Sequence, residues 1–277
     1  MHDKPMIDYA HDIMRKYFRD IFSHKHLLSA FIKRDLAARY GKSLIGVFWY
    51  VLHPLLLILV YTFVFGYLLS VRIGGTGSTT NYGIFLFCGM LPWLMISECI
   101  IRSSTVIFEH KELVRQIQFP TVLLPLKVAL TALLHQSIAT LLYLFVLIGL
   151  GSRPQLVNLW IVPALFIQLI MGFGIGMAVS SAYVYVKDVG PMIQALTTLG
   201  FFATPVVYPL SLVPAWLRPY FYLNPLTPLV EIYRGALLGL PWPAPAAMAY
   251  LIVFSVVALI FGQMVFSRLS RDFSDFI

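Results

Sequence analysis

The chain has 277 residues, of which 59% are hydrophobic and only 12% charged, and its net charge is +8. A water-soluble globule carries about twice that charged fraction, so the composition excludes an ordinary soluble domain. The surplus of basic residues is distributed between apolar runs, which points to membrane insertion rather than to nucleic acid.

Six long stretches lack Asp, Glu, Lys and Arg: 43–71, 73–97, 128–152, 154–186, 189–217 and 235–267. Each exceeds the roughly 20 residues a helix needs to cross a bilayer. Lys and Arg number nine in 1–42, one at Arg72, four in 102–127, one at Arg153, one at Lys187, two in 218–234 and two after 267. Rich and poor segments alternate, and the positive-inside rule then puts sixteen basic residues in the cytoplasm against four outside, with both termini cytoplasmic. The expected organisation is a cytoplasmic segment over 1–42, a six-span domain over 43–267 and a cytoplasmic tail over 268–277. Residues 1–42 are polar and show no cleavable signal peptide. Cys88 and Cys99 fall about three turns apart in one predicted helix, where they cannot pair, and read as small apolar fillers.

In chain order, 5–23 mixes acidic and basic positions with Ile7, Ile13, Met14, Phe18 and Ile21, the pattern of a solvated amphipathic helix. From His26 to Tyr40, Leu28, Phe31, Ile32, Leu36 and Tyr40 recur at three- and four-residue spacing, flanked by Lys25, Lys33, Arg34 and Arg39. That is the pattern of an interfacial helix lying on the membrane, the alternative being a helix packed on a soluble partner. Span one is expected near 48–70, with Trp49 and Tyr50 at headgroup level and a kink at Pro54 beside His53. Gly74 to Ser78 reads as a flexible outer loop.

Span two, about 83–102, carries Glu98 with Arg102 one turn later. An intramembrane carboxylate suits proton or cation coupling, but an acid with a base at i+4 also neutralises itself. Residues 108–119 follow, with Glu109, His110, Glu112, Leu113, Arg115 and Ile117, and are stopped by Pro120. A short helix there, with Leu113 and Ile117 on one face, either docks into a groove on a cytoplasmic partner or merely connects two spans. Span three, about 128–150, contains His135, which has no second metal-type side chain at useful spacing. Span four, about 159–186, has Gly172, Gly176 and Ser180 at four-residue intervals, with Gly174 and Ala178 between them, so its backbone can approach neighbours closely.

Span five rises from about 189, and 205–243 then carries eight prolines among Tyr208, Trp216, Tyr220, Phe221, Tyr222 and Tyr233, with Arg218, Glu231 and Arg234. The stretch has length for two short re-entrant helices on the outer side. Its rings either line a passage for sugars or form an aromatic belt. Span six, about 245–267, ends at Arg268.

Several chemistries are missing. Gly41-Lys42-Ser43 resembles the end of a phosphate loop, but the first glycine of that loop would fall on Leu36. The sequence has no paired carboxylates beyond Glu109 and Glu112 to hold metal and pyrophosphate, and no evident inverted repeat. A membrane body without catalytic residues or an ATP site is most simply driven by another chain.

The run Lys33-Arg34-Asp35-Leu36, Arg39-Tyr40-Gly41-Lys42-Ser43-Leu44-Ile45-Gly46, Trp49 and His53-Pro54-Leu55-Leu56 resembles the N-terminal signature of ABC-2 type permeases that export polysaccharides, the O-antigen and teichoic-acid class. Phe119-Pro120, Leu124-Pro125-Leu126, Tyr208-Pro209 and Asn224-Pro225-Leu226-Thr227-Pro228 continue the resemblance in order. It implies a non-enzymatic permease in the bacterial inner membrane, paired with a second copy of itself. Two cytoplasmic ABC ATPase subunits would hold the ATP and magnesium, this chain holding no cofactor, and the cargo would be a lipid-linked glycan.

By position, 26–42 resembles the interface helix, 108–119 the coupling helix and 205–240 the outer gate helices. Contact with the ATPase would then fall to Arg34, Arg39, Glu109, His110, Glu112, Leu113, Arg115 and Ile117. The channel or gate would be lined by Trp49, Tyr61, Phe65, Tyr67, Tyr208, Trp216 and Tyr220. The alternatives are an exporter of a drug or lipid and, in another class, a membrane-embedded glycan or lipid transferase.

Overall fold

The computed structural model describes residues 23–40, 49–68, 80–115 and 119–277, and their regular structure is entirely helical. The helix read for 5–23, apart from its last residue, and the loop at Gly74 to Ser78 lie outside the described residues.

Helix α1, Lys25–Tyr40, precedes α2, Trp49–Tyr61, whose 13 residues run directly into 7 residues of π-helix at Thr62–Leu68. Helix α3, Thr80–Glu109, is followed by a single turn, α4, Lys111–Val114. Then come α5, Leu123–Gly149, and α6, Ile161–Tyr185, the latter entered through a 3-10 turn at Leu156–Trp160. After α7, Val189–Ala203, the chain makes a 3-10 turn at Leu210–Leu212, one helical turn, α8, at Arg218–Phe221, and α9, Leu226–Leu238. Helix α10, Pro245–Leu269, and a last turn, α11, Phe273–Phe276, complete the described chain.

Four helical stretches among the described residues are long and apolar enough to cross a membrane: Tyr82–Glu109, Leu123–Gly149, Leu156–Tyr185 and Pro245–Asp272. Two shorter apolar stretches, Leu52–Val64 and Val189–Ala203, coincide with the expected first and fifth spans.

Helix α3 is the centre of the bundle, touching α2, α5, α6, α7 and α9. Its Phe87, Leu91, Met95 and Cys99 meet Tyr143 of α5, Met171 of α6 and Tyr233 of α9 in the main core. In lipid the hydrophobic effect does not draw helices together, so this packing rests on shape and on polar contacts. Shape is supplied by the small-residue stripe: Gly172 and Gly176 of α6 sit against Cys99 and Ser103 of α3. On another face of α6, Gly174 meets α10 so closely that a Cβ at Gly262 would overlap the Gly174 carbonyl. Polar contacts act at Pro92 inside α3, whose carbonyl accepts from Gln168 Nε2 at 3.0 Å, while Gln168 Oε1 accepts from the Tyr233 hydroxyl at 2.9 Å. Both groups tie α3 to its neighbours where proline removes a ladder hydrogen bond.

The elements differ from the expected ones in two places, the stretch from 102 to 119 and the stretch 205–243. Helix α3 runs past 102 to Glu109, because Glu98 and Arg102 neutralise each other and Val106 and Ile107 continue the buried face. The helix expected over 108–119 is therefore reduced to Lys111–Val114, with 116–118 outside the described residues. Helix α7 stops at Ala203, since Thr204, extended at φ −107° and ψ 139°, precedes Pro205. Where two short helices were expected in 205–243, the chain forms the 13-residue α9, capped by Gly239 in the left-handed region, and only a single turn, α8.

Candidate functional site

The polar chemistry of the bundle collects where α1 meets the ends of α3 and α5. Leu28 and Phe31 are buried, and the Phe31 ring packs edge-on between His110 and Phe119, with centroids 6.4 and 6.0 Å away. One turn on, Asp35 shares their face. Its Oδ2 accepts from Arg102 Nη2 of α3 at 2.6 Å, and its Oδ1 lies 3.4 Å from Lys127 Nζ in the first turn of α5.

The network continues in both directions. Arg102 Nη1 donates to Glu98 Oε1 at 3.4 Å, and Glu98 Oε2 lies 3.2 Å from His135 Nδ1. Glu98 is thus paired with both Arg102 and His135, in line with the self-neutralised reading of the sequence. In the other direction Lys127 Nζ is 3.5 Å from His110 Nε2, while His110 Nδ1 lies 2.9 Å from the Val106 carbonyl. That arrangement suits a neutral imidazole donating from Nδ1 and accepting at Nε2.

Two groups outside the long helices show what the network does electrostatically. Burial pushes the Asp35 carboxyl up, but hydrogen bonds and charge from Arg102 and Lys127 outweigh it and hold the group below its ordinary value. His110 is lowered, first by burial and then by the Lys127 ammonium. Both settle in the protonation state that the network requires.

Beside this network the turn α4 presents Lys111, Glu112 and Arg115 to the outside, while Val114 is buried and Leu113 half-buried. Glu109 is exposed and accepts from the Thr105 hydroxyl at 2.6 Å. Arg115 Nη2 donates to the Ile277 carbonyl at 2.6 Å, and Phe108 lies beneath Lys187 Nζ, 4.0 Å from its ring centroid. Arg34 is exposed on α1. Of the residues expected to meet the ATPase, Arg34, Glu109, His110, Glu112, Leu113 and Arg115 are therefore gathered at one end of the bundle. Ile117 and the Arg39 side chain lie outside the described residues.

Next to the network is a cavity of about 430 Å³ between α2, α3 and α5, where His53, Glu98, Arg102, His135, Ser97 and Gln136 supply its polar lining. None of the expected channel aromatics with a described side chain reaches it. Tyr61 packs against the core cluster around Tyr82 and Met90, Tyr67 stacks on Phe63, and Trp49 is half-buried at the start of α2. Tyr208 donates to the Phe202 carbonyl at 2.6 Å, and Trp216 and Tyr220 face outward at 73% and 64% exposure. The Phe65 side chain lies outside the described residues. Within one chain the described rings do not converge.

The sequence reading missed Asp35 and Lys127 as partners; the available signal was an acid on the apolar stripe, seven residues after Leu28. It also gave no role to Arg234. Buried in α9, that guanidinium donates 2.7 Å hydrogen bonds to the Pro205 and Val206 carbonyls and lies 3.6 Å from the Phe85 ring centroid. Among the described residues no group of three or more His, Cys, Asp or Glu side chains is placed to hold a metal ion.

A family model described as ABC-2 type transporter matches residues 26–238. The chain is 27% identical over 266 residues to the O-antigen export system permease protein RfbA of Myxococcus xanthus, covering 95% of this chain and 100% of that protein. A protein of the same description from Klebsiella pneumoniae is 26% identical over 259 residues, 91% of this chain and 95% of its own length. The polysialic acid transport protein KpsM of Escherichia coli is 26% identical over 244 residues, 86% of this chain and 91% of that protein.

Proposed function

The chain belongs to the ABC-2 type transporter family, and on that premise we propose that it is the membrane subunit of an exporter that moves a lipid-linked polysaccharide across the bacterial inner membrane. The observation that carries this reading is end-to-end similarity to permeases named for O-antigen export, covering 95% of this chain and all of the Myxococcus protein. In this reading the six spans are α2 with its π-helical continuation, α3, α5, α6, α7 with the chain that follows it, and α10. Helices α8 and α9 re-enter from the outer side, and both termini are cytoplasmic.

The work is done by ATP and magnesium bound in a separate cytoplasmic subunit, present in two copies alongside two copies of this chain. That subunit grips the end where α1 and α4 lie together, through Arg34, Arg39, Glu109, His110, Glu112, Leu113, Arg115 and Ile117. Movement there opens a passage between α2 and α7 of the two copies. Met192, Leu196, Leu199 and Phe202 of α7 are all more than half exposed, an apolar face that a second copy or lipid would cover. Trp49, Tyr61, Phe65, Tyr67, Tyr208, Trp216 and Tyr220 would border that passage in the assembled pair, since the described rings among them do not meet within one chain.

Co-purification with the neighbouring ATPase, followed by hydrolysis measured with and without glycan, tests the proposal. Glycan-stimulated turnover and loss of surface polysaccharide in a deletion strain are expected. ATP hydrolysis by this chain alone, or sugar transfer by it without an ATPase, would overturn the proposal.

A further inference from the structure

Helix α1 is fastened at two levels on one face. At the first, Phe31 is wedged between His110 and Phe119, the residues that bracket the described part of the turn α4. At the second, the two oxygens of a single carboxylate are divided between different helices, Oδ2 to Arg102 of α3 and Oδ1 to Lys127 of α5. Lys127 in turn faces His110, so the route closes on itself through α1, α3, α4 and α5.

The far end of the route opens on the cavity. Arg102, Glu98 and His135 line it opposite His53 and Pro54 of α2. Asp35, Arg102, Lys127 and Glu98 each have an opposite charge beside them, and Lys127 is 5% exposed, which makes re-pairing with water or with another group costly. Such a set behaves as a brace rather than as a set of independent surface pairs.

We infer that Asp35 is a positioning residue for transport: it locks α1, α4 and the adjoining ends of α3 and α5 into one rigid block that carries motion from the exposed turn to the α2 wall of the cavity. Shape change then occurs where this block meets α2 and α7, not inside it. The inference rests on the proposed function for its consequence, but not for the existence of the block.

The test is made on the full chain, alone in nanodiscs and with its ATPase in proteoliposomes. In nanodiscs Asp35→Asn is expected to speed amide exchange across residues 28–37 while leaving 226–238 unchanged, and Asp35→Glu to restore protection. Unchanged exchange in 28–37 would overturn the block whatever the transport result.

In proteoliposomes Asp35→Asn is expected to leave ATP hydrolysis near the unmodified rate and to lower glycan moved per ATP about tenfold, a coupling loss of ordinary size. An unchanged ratio would overturn the transmission role. A paired variant, Asp35→Cys with Arg102→Cys, bridged by a short reducible bis-thiol reagent, is expected to recover the ratio and lose it on reduction. Arrest of export by the bridge would show that the contact must open, and would also overturn the inference. If the unmodified complex hydrolyses ATP without moving glycan, the proposed function fails, while the exchange measurement still decides the block.

Discussion

Arg102 and Arg234 each place a guanidinium beside α3, near its opposite ends, but the groups that receive them differ. Arg102 meets two carboxylates, Asp35 at 2.6 Å and Glu98 at 3.4 Å, carried by two different helices. Among the described residues Arg234 meets no acid at that distance; it donates to two main-chain carbonyls, those of Pro205 and Val206, with the Phe85 ring beneath it. Those carbonyls are available because α7 has just ended and prolines prevent the chain from continuing as helix. A contact to main chain fixes a break in place, whereas a contact between side chains joins segments that are otherwise separate. One end of α3 is therefore stitched by backbone and the other by charge.

The sharpest way to break the comparison is Arg234→Ala, which strips two buried carbonyls of their donor and should cost about 3 kcal/mol or more. Thermal unfolding in detergent micelles reads it, and a loss below about 1 kcal/mol would mean that the carbonyls find other partners. Arg102→Ala should cost less, about 1–3 kcal/mol, because its side chain is 29% exposed and water can take over part of its role. In a double-mutant cycle with Asp35→Asn the two losses should fall short of additive by at least about 0.5 kcal/mol. Additive losses would reduce the charged end to independent pairs.

A smaller effect separates the two ends again. Phe85→Leu keeps the apolar volume roughly constant but removes the ring face under Arg234, for an expected loss of about 1 kcal/mol. The same measurement on an unrelated exposed position, Phe145→Leu on α5, should show almost nothing.

The smallest effect is in pH. An unfolded histidine titrates near 6.5, and burial together with the Lys127 ammonium holds folded His110 below that value. The unfolded chain then binds more protons, so this contribution is complete above about 6.5 and declines as pH falls from there toward the folded pKa. Unfolding midpoints measured from pH 7.5 to 5.5 should drop, and His110→Gln should flatten the slope.

The sequence made the apolar architecture legible because it is written locally. The spacing of Leu28, Phe31 and Ile32 found α1, and Gly172, Gly176 and Ser180 found the face of α6 that meets α3. Charge-free runs found the four long spans but misjudged the end of the second. Hydropathy alone cannot tell that Glu98 and Arg102 cancel, so the second span looked finished where it continues to Glu109.

The candidate site was half legible for the same reason. Glu109 to Arg115 and Arg34 stand out as polar segments next to spans, and they do gather at one end. Asp35 did not stand out, since its partner Arg102 is 67 residues away and no local pattern connects them. The aromatic set was chosen by residue type, and type does not determine direction: Trp216 and Tyr220 face outward while Tyr208 is tied to Phe202.

The crossing at Gly174 and Gly262 leaves no room for a side chain between α6 and α10. Two helices in backbone contact can neither slide past each other nor tilt apart without a clash or a void. The last long helix is thus not a free element at the rim of the bundle. It forms one packed pair with α6, joined where only backbone separates them.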